Sequence, residues 1–220
     1  MEVLNPIEGI QYSKFFGAIS NQAQSIIDNI NQKHLDANKF SLFAEAVLGD
    51  LKFEVGTSKK FENAIKDVFE LIGFKAQQPE REIGKGPDYL VILGLGEYIV
   101  IECKNETITD TICKQDCNQL IGSFSWFNNL YKDEEINCVP IMIHNSNIFT
   151  YECSPLPQVR IMTPSLLDKF KENIKKGIVA ITQLNNYKNI ENMNNILKTY
   201  KLNKEAIIPE YTTLYKVKQQ

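Results

Sequence analysis

The stretch Asp88–Lys104, DYLVILGLGEYIVIECK, decides the fold: two β-rich apolar runs flank Gly94-Leu95-Gly96. Val, Ile, Leu and Tyr dominate both runs and the glycines allow a tight reversal, so the pattern predicts a β-hairpin. The run ahead of it, Pro79 to Gly86, is charged and glycine-bearing and reads as an exposed loop. With the turn at Gly94–Gly96, Asp88 and Glu102, fourteen residues apart, fall almost opposite each other across the pair. Alternation along the second strand puts Glu102 and Lys104 on one face, because side chains two apart point the same way.

Upstream, Phe61, Ala64, Ile65, Val68, Phe69 and Ile72 follow the spacing of an amphipathic helix over Ser58–Gly73. Ser58 suits its N-cap and Gly73 its left-handed C-terminal position. Earlier still, Phe15, Ile19, Ile26, Ile27 and Ile30, then Phe40, Phe43, Ala44 and Val47, recur at helical intervals from Tyr12 to about Leu51. Downstream, Ile108–Tyr131 is helical in pattern, with Ile112, Leu120, Ile121, Phe124 and Phe127 apolar. Val139–His144, Ile148–Tyr151 and Val159–Met162 read as short strands. Thr163-Pro164 opens a helix to about Lys176, with Pro164 in its first turn. Beyond Ile181 the chain is Asn- and Lys-rich, helix-permissive over Ile190–Leu197 and otherwise weakly patterned.

This order predicts an α/β domain, a central mixed β-sheet flanked by helices. The division expected is a helical N-terminal appendage at 1–55, a core at 56–180 and a C-terminal extension at 181–220. The appendage would serve packing, a homo-oligomer contact or a protein partner, or would help to hold substrate.

Composition narrows the class. With 220 residues and 43% apolar content the chain can bury a sizeable core. No apolar run is long enough to span a membrane and the N-terminus lacks a signal-peptide pattern, so a cytoplasmic protein without a membrane partner is expected. Five cysteines, odd in number and without framework spacing, fit a reducing compartment. A formal charge of -3 excludes coating of nucleic acid by bulk attraction but leaves room for a local basic groove.

Two carboxylates and one amine at a sheet edge have a definite chemical use. Asp88 and Glu102 supply hard oxygen ligands for Mg²⁺, with Mn²⁺ able to substitute, and the Cys103 backbone carbonyl can add a third. Such a cation lowers the pKa of a bound water and offsets charge on a phosphodiester. Lys104 would orient or help deprotonate that water, or stabilise charge on the phosphate.

The motif Pro87-Asp88, followed fourteen positions on by Glu102-Cys103-Lys104, resembles the PD-(D/E)xK nuclease superfamily, over roughly Ser58–Lys176. The resemblance implies a restriction-endonuclease-like core and Mg²⁺-dependent cleavage of nucleic acid, with DNA the expected substrate. It implies metal ligation by Asp88 and Glu102 and a catalytic role for Lys104. Many members carry a further Glu on the helix before the hairpin, where Glu62 stands here. Several carry a Gln on the helix after the lysine, for which Gln119 is preferred over Gln115 because it borders the apolar stripe.

Other readings attach to the same residues. A surface hairpin with solvated Glu102 and Lys104 is the plain alternative, and two charges closing an otherwise apolar strand argue against it. A non-catalytic nucleic-acid-binding or protein-interaction module on the same fold is the functional one. Cys113 and Cys117 lack the number and spacing of a cluster site. His144 ends a strand within reach of the site, but a lone His at a strand end reads first as a satisfied structural residue, and His34 has no partner pattern. Trp126, Phe124 and Phe127 have core spacing before base-stacking spacing. Arg81 and Lys85, just before Asp88, are the best placed of the basic residues for a backbone-tracking groove.

Overall fold

A computed structural model describes residues 3–7, 10–13, 21–33, 36–94, 96–132, 136–184 and 186–219. In chain order it has β1 (Val3–Ile7), β2 (Ile10–Ser13), α1 (Gln22–Gln32), α2 (Ala37–Asp50), α3 (Ser58–Leu71), β3 (Lys75–Gln77) and α4 (Pro79–Ile83). There follow β4 (Tyr89–Gly94), β5 (Glu97–Lys104), α5 (Lys114–Leu130), β6 (Asn137–His144), β7 (Ile148–Phe149) and β8 (Arg160–Met162). The chain continues with α6 (Pro164–Thr182), α7 (Ile190–Thr199), α8 (Lys204–Tyr211), β9 (Thr213–Leu214) and β10 (Lys216–Val217).

The apolar runs of the decisive stretch become the centre of a six-stranded mixed sheet, ordered β3-β4-β5-β6-β8-β9. All six residues of β4 are buried, as a strand covered on both faces must be. Strands β3, β4 and β5 are antiparallel neighbours, whereas β5, β6 and β8 run parallel and β9 closes the far side antiparallel. A parallel pair needs a long crossover, and α5 provides it between β5 and β6.

The two faces bury different cores. Tyr89, Val91, Leu93, Ile99, Ile101, Ile141 and Ile143 face a large core shared with α1, α2, α3, α6 and the C-terminal helices. On the opposite face Leu90, Ile92, Tyr98 and Val100 pack on Phe127 and Tyr131. Met142 and Ile161 meet Cys117 and Leu120 there too. Odd positions of β4 and β5 thus look to α3 and even positions to α5. The site sits where the even face runs out of apolar residues, at Glu102 and Lys104.

Several expectations are revised. Tyr12 and Ser13 lie in β2, paired with β1, rather than in a helix, and Phe15, Ile19 and His34 fall outside the described residues. Pro79–Ile83 forms the short helix α4 in place of an exposed loop, with Pro79 buried and Gly84 in the left-handed region closing it. The helix after the hairpin begins only at Lys114, because Ile112 bridges to Phe149 and is drawn into the sheet layer. The N-cap of α3 is Thr57, and the Ser58 amide instead donates to Glu106 Oε1 at 2.7 Å. Beyond Ile181 the weak pattern resolves into α7, α8 and two short strands, because these pack on the main body rather than standing alone.

Candidate active site

Register brings the predicted residues together. Tyr89 pairs with Ile101, so the next step of the antiparallel ladder sets Asp88 opposite Glu102. The contact is closed by the Cys103 amide, which donates to Asp88 Oδ2 at 2.7 Å. Lys104 leaves the strand on the Glu102 face, and its parallel neighbour on β6 is His144. Polar groups therefore gather at the carboxyl ends of parallel strands, where open α/β sheets place their ligands.

Helix α5 lies over these ends in matched spacing. Ser123 Oγ donates to Glu102 Oε1 at 2.6 Å, and Lys104 Nζ donates to Gln119 Oε1 at 2.7 Å. Two strand residues advance about 6.6 Å and four helix residues about 6 Å, so one face of α5 engages both site side chains at once. One turn nearer the N-terminus, Asp116 Oδ1 stands 3.9 Å from Lys104 Nζ, and its Oδ2 accepts from the Cys113 thiol at 3.0 Å. On the other side, the chain leaving β5 is tied to the start of α3: Asn105 Nδ2 donates to Thr57 Oγ1 at 3.2 Å.

The carboxyl groups are electrically uncomfortable. Glu102 is 0% exposed, and its Oε2 has no hydrogen-bond partner among the described residues. Burial pushes Glu102 up to about 7, with Glu80 adding to the effect while the Ser123 hydroxyl, Lys104 and the Asp88 backbone oppose it. Asp88 is pushed up to about 8, by burial first and then by Glu102 and the Glu80 carboxyl, against the Cys103 amide and Lys104. His144 is also 0% exposed, and burial lowers its pKa. Its Nδ1 lies 2.8 Å from the Ser146 amide nitrogen and 3.2 Å from the Ser146 carbonyl oxygen, and its buried Nε2 has no hydrogen-bond partner among the described residues.

Of the residues read from the sequence, Asp88, Glu102, Lys104 and Gln119 meet in one place. The Glu62 carboxylate accepts from Ser58 Oγ at 3.0 Å, and its backbone carbonyl accepts from the Tyr89 hydroxyl. Gln115 is exposed on α5. Cys103 contributes its amide to Asp88, and its side chain packs toward the large core on the other face. Arg81 is engaged with Asn63 Oδ1 at 2.8 Å, and Phe124 and Trp126 pack against the cluster around Phe127.

Sequence reasoning missed Glu80, Asp116 and Ser123. The last two were within reach of it: they lie three residues before and four after Gln119, hence on its helical face. Glu80 carried no signal, because its place beside Asp88 depends on α4, whose Glu80 amide donates to the Pro87 carbonyl at 3.2 Å. Among the described residues no group of three or more His, Cys, Asp or Glu side chains stands as a ready-made metal cage. No protein-family model, curated protein or solved structure matches the chain. No described helix is long and apolar enough to cross a membrane.

Proposed function

We propose that this chain is a Mg²⁺-dependent nuclease of the PD-(D/E)xK type, hydrolysing phosphodiester bonds in DNA on a restriction-endonuclease-like core, in defence against foreign DNA or in repair. One observation carries the reading: a buried Glu102 with one unpartnered oxygen faces Asp88 across the strand pair, and Lys104 follows on the same face.

The donor set fits the cation the reading requires. Two buried carboxyls, one raised by the other's charge and one ending in an unsatisfied buried oxygen, form a site whose repulsion a hard divalent cation relieves. Mg²⁺ keeps several waters and is held by one or two carboxylates, so Asp88 and Glu102 suffice without a closed cage. When bound, the cation supplies an acidified water and offsets charge on the phosphate.

The chain's own groups do the rest. Lys104, held by Gln119 and beside Asp116, directs its ammonium to the phosphate oxygens or the attacking water. Ser123 fixes Glu102, and the Cys103 amide fixes Asp88. The low dielectric around these buried groups strengthens each interaction with a developing charge.

The test is cleavage of supercoiled plasmid and of labelled single- and double-stranded DNA and RNA with Mg²⁺, Mn²⁺ or EDTA. Asp88→Ala is expected to abolish metal-dependent cutting and Lys104→Ala to lower its rate by about 10²-fold or more. Absence of cutting by the folded protein on every substrate would favour a non-catalytic nucleic-acid-binding or interaction module.

A further inference from the structure

The hydrogen bond from Ser123 to Glu102 has a consequence for which cation the site accepts. Glu102 lies at the bottom of the site, 0% exposed, and Ser123 above it is 5% exposed. The Ser123 hydroxyl occupies Oε1 at 2.6 Å, while Oε2 has no partner among the described residues. A carboxylate held in this way offers a cation one oxygen, since turning the second toward the site would break a buried bond and strand the hydroxyl. The α5 backbone that carries Ser123 is fixed in place, because Leu120 and Phe127 on either side are anchored in the core.

Resting on the nuclease reading above, we infer that Ser123 is a positioning residue that sets the metal preference of the site by holding Glu102 to one-oxygen ligation. Small cations that demand octahedral geometry, Mg²⁺ and Mn²⁺, are served by single carboxylate oxygens plus waters. Ca²⁺ takes more oxygens at longer distances and often uses a carboxylate in bidentate fashion, an option this hydrogen bond removes. Gln119 performs the parallel task on Lys104, so a single helix face orients both halves of the site.

Titration calorimetry with Mg²⁺, Mn²⁺ and Ca²⁺ alone, on wild type, Ser123→Ala and Ser123→Thr, tests this without substrate. Wild type is expected to bind Mg²⁺ and Mn²⁺ more tightly than Ca²⁺. Ser123→Ala is expected to lose about tenfold in Mg²⁺ and Mn²⁺ affinity, as loss of a partner behind a ligand typically does, and much less for Ca²⁺. The preference therefore narrows or inverts, and Ser123→Thr, which keeps a hydroxyl, restores it. A folded Ser123→Ala protein with wild-type affinities for all three cations would overturn the positioning role alone. Folded wild type that takes up no divalent cation would overturn the nuclease reading and this inference together. Should the alanine variant not fold, Ser123→Cys, whose thiol is a weaker donor, must show the same narrowing or the inference falls.

Discussion

Asp88 and Glu102 link the chemistry of the site to the stability of the molecule. Both carboxyls are raised above their ordinary values, chiefly by burial. Through these two groups the folded protein holds more protons than the unfolded chain between the usual carboxylate range and about pH 8, and their contribution to stability falls as pH rises through that window, opposed by His144, whose pKa burial lowers. Without divalent cation, the melting temperature is expected to drop from pH 5 to pH 8. Each kcal/mol lost should appear as about 2–4 °C. Glu102→Gln, which cannot ionise, should flatten the profile, and Mg²⁺ should stabilise wild type most at the alkaline end. A melting temperature that rises from pH 5 to pH 8 in EDTA would contradict the assignment of these two groups as strained carboxylates.

At the same scale, the core triad was legible because strand alternation and a glycine turn fix which side chains share a face. The partners of Glu62 were not legible, for an equally physical reason. Helical spacing says which residues line one face of α3, but the rotation of α3 against the sheet is set by Phe61, Ile65, Val68 and Phe69 packing in the core. That rotation leaves the Glu62 carboxylate on Ser58.

Among the elements, α3 ends in a manner the sequence announced. Gly73 has φ +87°, and the Phe74 amide reaches back to the Phe69 carbonyl at 2.9 Å, the six-residue closure of a left-handed cap. The same glycine is also a docking point. A Cβ there would come within 2.4 Å of the Gln22 carbonyl oxygen at the start of α1, and Gln22 Nε2 donates to the Ile72 carbonyl at 2.7 Å. Gly73→Ala thus meets both a backbone penalty and a backbone clash, and is expected to destabilise by about 2–4 kcal/mol in thermal or urea unfolding. A wild-type melting temperature for this variant would mean that α1 and α3 do not approach as described.

Helix α5 makes the contrasting case. Its apolar stripe was readable, yet its start was not, because Ile112 has the residue type of a helix position and is captured by a bridge to Phe149 instead. The pairing of Gln119 with Lys104 and of Ser123 with Glu102 needs α5 antiparallel to β5 across the sheet, an arrangement set by the crossover to β6.

For the whole molecule, the N-terminal helices matter more than an appendage would suggest. Ala23, Ile26, Ile27 and Ile30 of α1 and Phe40, Ala44 and Val47 of α2 belong to the same buried cluster as Phe61, Phe69 and Phe170. Removing residues 1–55 would uncover that cluster, and burial of each large side chain contributes about 1.5–3 kcal/mol. The shortened protein is expected to lose its cooperative melting transition and to aggregate in size-exclusion chromatography. A sharp transition and monomeric elution would show instead that the sheet and its remaining helices form an independent unit.

What the sequence determined by itself is the local grammar: the strands of the hairpin, the turn between them, the amphipathic helices, and the convergence of Asp88, Glu102 and Lys104. These follow from periodicities of two and 3.6 residues, which act within one or two elements. The tertiary structure alone decided the rest. It buried Glu102 completely, set Ser123 behind the site, brought Glu80 to Asp88, gave the Glu62 carboxylate to Ser58 and joined the N-terminal helices to the main core. Each of those outcomes depends on how whole elements pack against one another, through contacts between residues far apart in the chain that no local period encodes.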